Sequence, residues 1–345
     1  MALTHIELYA AAVLVAFALS AGTTPLVRLL ALKMGWLDSP GSAVKTHEVA
    51  TPALGGIAIW IGFAGALVAM RFLTNFPTGT LFRLRALLAG GAFVFLLGIV
   101  DDLRKPDGLD WKVKMAAQVA AAALLIYFGI QIRFISPSYL AVALTLLWVV
   151  GICNAFNIVD IMDGLAASQA AVAAVAFLLV GLPSEDIYVN FGAAALMGAA
   201  LGFLPWNFSS RYKIFMGDSG SLLMGFVLAG LALGTDYTQV NPLGVYAPLF
   251  ILAVPMFDTL YVMVIRMTRG RSPFRGSKDH FALRLERMGL SRPRIVGFSL
   301  VASAFLSVCG LLVTLVSTAW AVWIYGIVGS WVLLLAWHLT KVDMG

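Results

Sequence analysis

Charge is what this chain has least of. Only 12% of its 345 residues are Asp, Glu, Lys or Arg, while 61% are apolar. A soluble domain carries about a quarter charged and about half apolar residues, so an ordinary soluble fold is excluded. Cysteine is nearly absent. Cys153 and Cys309 both lie in apolar runs, which excludes a disulfide framework and a cysteine zinc site. A long hydrophilic stretch is missing too: the longest, Met267–Arg294, has 28 residues, too few for a separate soluble domain. No heptad tract, low-complexity run or repeat of fixed period is visible. The first apolar run, from Ile6, has no basic stretch before it and no small-residue cleavage site after it. It reads as a retained helix and not as a signal peptide.

What is present are apolar runs of about 20 residues, the length that crosses a bilayer. They fall at residues 6–32, 53–72, 84–100, 112–130, 138–156, 162–182, 189–206, 219–234, 245–266, 295–317 and 319–341. The expected fold is therefore all-α: a single integral-membrane domain, residues 1–345, with about eleven transmembrane helices and its longest loop at 267–294. Of the 23 Lys and Arg residues, nineteen lie in alternate loops and the C-terminal tail, and four lie in the others. The positive-inside rule then puts the basic loops and the C-terminus in the cytoplasm and the N-terminus outside. The net charge of +6 marks topology in this reading, and no nucleic-acid partner is expected.

The acidic groups share the basic side. Asp101-Asp102, Asp160 with Asp163, and Asp218 each sit where a loop meets a helix end. Helix-end aspartates can be simple N-caps. Three groups at one membrane face also suit a hard divalent cation, and magnesium takes one or two carboxylates and leaves its other positions to water and phosphate. Asp101 and Asp102 are adjacent and point about 100° apart on a helix, so different tasks are expected of them. One would hold metal or a lysine and the other would act as base on a phosphate acceptor. In "KIFMGDSGSLL", Asp218, Ser219 or Ser221 could cap the next helix, whose N-terminus attracts phosphate. Lys45, Lys114, Lys213, Lys278 and Arg284 are available to offset phosphate charge. His280 is the sole histidine of the longest loop. Asp258 lies inside an apolar run, where a structural pairing with Arg266 or a tyrosine is expected.

The stretch "NAFNIVDIMDG" spaces Asn154, Asn157, Asp160 and Asp163 by three. Steps of three turn about 60° each around an ideal helix, so no regular helix aims all four at one ligand. The helix is expected to stop or tighten near Val159–Asp160, with Asn154 and Asn157 at its end and Asp160 and Asp163 in the turn.

These motifs, in this order, resemble the polyprenyl-phosphate N-acetylhexosamine-1-phosphate transferases. That superfamily includes phospho-MurNAc-pentapeptide translocase, bacterial GlcNAc-1-phosphate transferases and the eukaryotic dolichyl-phosphate enzyme. The resemblance rests on "GIVDD", "NAFNIVDIMDGLA", "KIFMGDSGSLLMG", "RSPF" followed by His280, and "DSPGSAVKTHEVATPALGG". It implies ten or eleven transmembrane helices in the inner membrane and Mg²⁺-dependent chemistry at the cytoplasmic face, with Mn²⁺ as an alternative ion. The reaction implied is transfer of a sugar 1-phosphate, GlcNAc-1-phosphate as the first choice, from a UDP-sugar to polyprenyl phosphate with release of UMP. Homodimerisation is left open. By resemblance Asp101, Asp102, Asp160 and His280 are catalytic, and Asp218, Asn157 and Asp160 hold the metal. Lys45, Lys114, Asn157, Asp163 and Arg284 bind substrate, with Asp163 near the uracil. His47 completes the "K-x-H" match, and Gln118 the "K-x-x-x-Q" match that begins at Lys114.

The sequence departs from the pattern in three places. Ile161 stands where a glycine is usual, and Ala282 and Leu283 replace two histidines of "H-x-H-H". Ser210, Arg211 and Tyr212 stand where Pro-Ala is usual. The lost histidines speak against the pentapeptide translocase. The rival from another class, a transporter or flippase, would favour broken helices and an inverted repeat, and neither is visible in the sequence. A CDP-alcohol phosphotransferase would need an arginine soon after "DG", which "DGLAASQAA" lacks.

Overall fold

A computed structural model describes residues 4–40, 49–105, 107–184, 186–272, 278–342 and 344. Its helices are α1 (His5–Met34), α2 (Gly56–Leu73), α3 (Thr78–Leu103), α4 (Trp111–Tyr127), α5 (Ser138–Val159), α6 (Leu165–Gly181), α7 (Ile187–Phe208), α8 (Gly217–Gly234), α9 (Ala247–Ile251), α10 (Ala253–Thr268), α11 (Phe281–Arg287), α12 (Arg292–Leu315) and α13 (Thr318–Thr340). Two two-residue strands, Leu37–Asp38 and Thr51–Pro52, pair antiparallel. The fold is nearly all-α, and the chain is a multi-pass membrane protein.

Local chemistry sets the helix limits. Thr4 and Glu7 form a capping box that starts α1, and Gly35, at φ 71°, ends it. Asp110 caps α4 by accepting from the Lys112 N–H. Among the described residues eight helices are long and apolar enough to cross a bilayer. A ninth candidate is the bent pair Pro242–Ile251 and Ala253–Thr268, whose parts meet at 74°. The eleven expected spans exceed this number because α4 and α6 have only 17 residues each. The bend also corrects the expectation that no helix is broken. Pro248 and Pro255 flank it, and neither has an N–H for a continuous ladder. The expected loop 267–294 is not all loop either, since it contains α11.

The bundle is built round α8. It packs against α2, α3, α5, α6 and α7, and 78% of its residues are buried. Small residues permit this crowding, as lipid-embedded helix contacts require. A Cβ on Gly98 of α3 would lie 2.4 Å from the Ser219 backbone, and one on Gly56 of α2 would lie 2.3 Å from the Gly220 nitrogen. Neither obstacle is a movable side chain. Gly98→Ala is expected to cost about 1–3 kcal/mol, the usual range for overpacking. A lower unfolding midpoint in detergent, with normal insertion, is the check; an unchanged midpoint would refute the close packing.

Candidate active site

The N-terminus of α8 is held by another helix. Asp102, near the end of α3, accepts from the Asp218 N–H at Oδ1 (2.9 Å) and from the Ser219 N–H at Oδ2 (3.0 Å). Self-capping by Asp218, Ser219 or Ser221 was the expectation, and no side chain of α8 caps it. Asp102 supplies the cap because Gly217, at φ 75°, brings the chain against it. A Cβ there would meet the carboxylate at 2.4 Å.

Two lysines join the carboxylates. Lys105 Nζ is 2.8 Å from Asp102 and 3.3 Å from Asp218. Lys114, in the first turn of α4, is 2.7 Å from Asp101 and 2.9 Å from Asp218. Asp101 also accepts from the Leu109 N–H at 2.6 Å, which folds the α3–α4 turn back over it. The adjacent aspartates are thus divided, as their angular separation predicts: Asp102 braces α8, and Asp101 faces Lys114. Burial opposes charge on Lys105, but Asp218 and Asp102 outweigh it and raise its pKa. Asp38 adds to that field. Lys105 and Asp38 were not expected as site residues. The available signals were the i, i+3 spacing of Asp102 and Lys105 and the "D-x-P" segment.

α5 ends at Val159, leaving Asp160 and Asp163 in the following turn, as the spacing predicts. Asp160 has its carboxyl pushed up to about 7 by burial first; Lys105 opposes the shift, and Asp218, Asp102 and Asp163 reinforce it. Asp160 therefore belongs to the same electrostatic cluster. Asn157 donates to Ser221 Oγ at 3.0 Å, which ties α5 to α8. Asn154 turns instead to Gln118 of α4 (2.6 Å) and the Val150 carbonyl. Asp163 pairs with Lys213, whose Nζ lies 5.1 Å from the Phe215 ring centre.

Ile161 is not at positive φ; the turn's left-handed position is Gly164, at φ 75°. The usual glycine is therefore not required by the backbone of this chain. The "PALGG" and "KIFMG" segments pair through their backbones: Phe215 N–H to Pro52 O (2.8 Å), Gly55 N–H to Phe215 O (2.9 Å) and Gly56 N–H to Met216 O (2.8 Å). Between them Leu54 adopts φ 71°, the sole non-glycine at positive φ among the described residues. Such strain tends to gather at functional sites. Lys45 and His47 lie outside the described residues.

A third group joins α10 to the start of α11. His280 Nδ1 is 2.7 Å from Asp258, and the Phe281 N–H donates to the same carboxylate at 2.9 Å. This corrects the expected pairing of Asp258 with Arg266 or a tyrosine. Arg284 is also corrected. It is fully buried, and its guanidinium donates to the Leu339 and Val342 carbonyls and to Asp279. It closes the C-terminus of α13 and does not present itself to a substrate. Ala282 and Leu283 are buried as well, so apolar packing occupies the positions where histidines are usual. Lys278 is exposed.

Comparison with known proteins supports the same family. The profile of glycosyl transferase family 4 matches residues 84–236. A probable undecaprenyl-phosphate N-acetylglucosaminyl 1-phosphate transferase of Bacillus subtilis strain 168 is 33% identical over 277 residues, covering 78% of this chain and 74% of the relative. A decaprenyl-phosphate N-acetylglucosaminephosphotransferase of Mycobacterium tuberculosis H37Rv is 34% identical over 302 residues, covering 78% and 74%. An undecaprenyl-phosphate alpha-N-acetylglucosaminyl 1-phosphate transferase of Escherichia coli K12 is 28% identical over 298 residues, covering 83% and 78%.

Proposed function

Since the chain belongs to glycosyl transferase family 4, we propose that it transfers N-acetylglucosamine 1-phosphate from UDP-N-acetylglucosamine to a polyprenyl phosphate. The product starts a lipid-linked cell-envelope glycan, and UMP is released. The observation that carries this reading is the junction of α3, α4 and α8, where Asp101, Asp102 and Asp218 meet Lys105 and Lys114. An acceptor that stays in the bilayer and offers only its phosphate needs such a site at helix ends. The bent α9–α10 pair alone does not favour transport, because these carboxylates sit at helix termini and not along a midplane cavity. With α4 and α6 taken as short spans and the bent pair as one, the chain crosses the inner membrane eleven times. The N-terminus is then outside, and the site and the C-terminus are cytoplasmic.

The donor set is all oxygen, which fits magnesium. No group of three or more His, Cys, Asp or Glu is arranged to hold a metal ion by itself among the described residues, but magnesium requires only one or two carboxylates. Asp218, with Asp160 and the Asn157 carbonyl oxygen, would hold the ion. When bound, it would supply charge neutralisation to the diphosphate and the departing UMP. Lys114 and Lys105 bind phosphate oxygens and reduce the repulsion between two anionic substrates. Asp101 orients the acceptor phosphate and takes a proton where the acceptor carries one. An acceptor oxygen attacks the β-phosphorus, the bond from that phosphorus to the bridging oxygen breaks, and UMP leaves with the bridging oxygen. Asp163 and Lys213 receive the uridine end. His280 contacts the transferring phosphates.

Purified protein with undecaprenyl phosphate and a panel of UDP-sugars is expected to release UMP with UDP-N-acetylglucosamine, and only with Mg²⁺ or Mn²⁺ added. No UMP from any UDP-sugar, together with metal-independent uptake into vesicles, would overturn the reading.

A further inference from the structure

A carboxylate at membrane depth is costly unless its oxygens are committed. Asp258 is fully buried in α10, yet its described hydrogen bonds go to the segment before and at the start of α11. Oδ1 accepts from the Phe281 N–H at 2.9 Å, and Oδ2 lies 2.7 Å from His280 Nδ1. The neighbouring acid has other partners: Asp279 takes Arg269 and Arg284, each at 3.1 Å. We propose that Asp258 is a positioning residue for His280, fixing Nδ1 as a protonated nitrogen and turning Nε2 to the transfer chemistry. This rests on the reading above that His280 serves that chemistry.

The donor logic is direct. An ionised carboxylate only accepts. With Oδ1 given to a backbone N–H, the contact at Oδ2 requires hydrogen on Nδ1. Nε2 is then the nitrogen left for substrate, an acceptor in the neutral ring and a donor in the imidazolium. A carboxylate behind a histidine fixes tautomer and ring orientation in the same way at metal sites and in nucleophilic triads. Holding the Phe281 backbone needs one oxygen alone. The second oxygen is the one that a purely structural role leaves unexplained.

Asp258→Asn separates the two roles. The amide carbonyl still accepts from the Phe281 N–H, so the segment stays anchored. The amide N–H now faces Nδ1 and selects the opposite tautomer, with hydrogen on Nε2. Turnover of UDP-N-acetylglucosamine is measured for the wild type, D258N, H280Q and D258N/H280Q, together with unfolding midpoints. D258N is expected to lower kcat about 10–100-fold, the usual effect of removing such a partner, with KM and the midpoint nearly unchanged. In the H280Q background the same substitution should cost nothing further. Nitrogen-15 spectra of histidine-labelled protein, with His280 assigned by its loss in H280Q, should show Nδ1 protonated in the wild type. In D258N the proton should be on Nε2.

Wild-type kcat in D258N, a full additional loss in the double variant, or an unprotonated Nδ1 in the wild type would each overturn the proposal. Should D258N fail to fold, the wild-type spectrum still decides the tautomer. Full activity in H280Q would remove His280 from the mechanism and this proposal with it, while UMP release would leave the family reaction standing.

Discussion

Asp218→Asn is expected to lower turnover by about 10³-fold or more while the protein still folds. Asp218 is where the two lysines converge: Lys105 lies 3.3 Å from one oxygen and Lys114 2.9 Å from the other. Its side chain is 15% exposed, while those of Asp102 and Asp101 are at 0% and 3%. Of the three it is the carboxylate open to a ligand. The amide keeps the size and one acceptor oxygen, and the backbone N–H of residue 218 still reaches Asp102. The fold should therefore hold. The negative charge that would bind the cation is lost, and removal of even one preorganised electrostatic group from a transfer site costs about 10²–10³-fold. The measurement is the UMP release rate at saturating substrates across a Mg²⁺ titration, with the unfolding midpoint recorded beside it. Near-full activity at ordinary Mg²⁺ would make the metal assignment wrong. A rate restored only at high Mg²⁺ would show that Asp160 and Asn157 hold the ion more weakly without it.

The sequence carries this part of the site well because its signals are local. Apolar runs mark the helices, and aspartates at their ends are visible one by one. Even the stop of α5 at Val159 follows from the impossibility of aiming four polar residues at steps of three to one side. The remainder depends on distant contacts that no local pattern encodes. Arg284 reads as an available cation in a basic loop. It is instead fully buried, because the end of α13, more than fifty residues on, brings the Leu339 and Val342 carbonyls to it. Asp258 and His280 are 22 residues apart, and the chain must turn back on α10 after its end at Thr268 to join them. Pro248 and Pro255 carried the α9–α10 break in plain view, but the apolar run around them is long enough to read as one helix. Lys105 could be paired with Asp102 from its i, i+3 spacing, but its contact with Asp218 depends on α8 lying against α3.

That last contact is where the fold and the chemistry depend on one residue, and Asp102→Ala is expected to show it as a loss of stability. Asp102 has both oxygens engaged by the first turn of α8 and a lysine besides. Helix N-termini leave N–H groups without partners, and here a carboxylate from another helix satisfies two of them at the positive end of the helix dipole. Alanine leaves both N–H groups buried beside Gly98 and Gly217 and leaves Lys105 with Asp218 alone. Breaking a buried charged pair from one side costs about 3–5 kcal/mol. The unfolding midpoint in detergent should fall accordingly, with the wild type above Asp102→Asn and Asp102→Asn above Asp102→Ala. Asparagine keeps one acceptor for one N–H, which places it between. A direct catalytic role for Asp102 makes a different prediction: both variants inactive, with melting unchanged. That pattern would refute the bracing role, and a midpoint for Asp102→Ala equal to the wild type would do so on its own. If Asp102 acts as a brace, Asp102→Asn measured well below its midpoint should retain more turnover than Asp218→Asn, because the carboxylate open to the substrates is still in place.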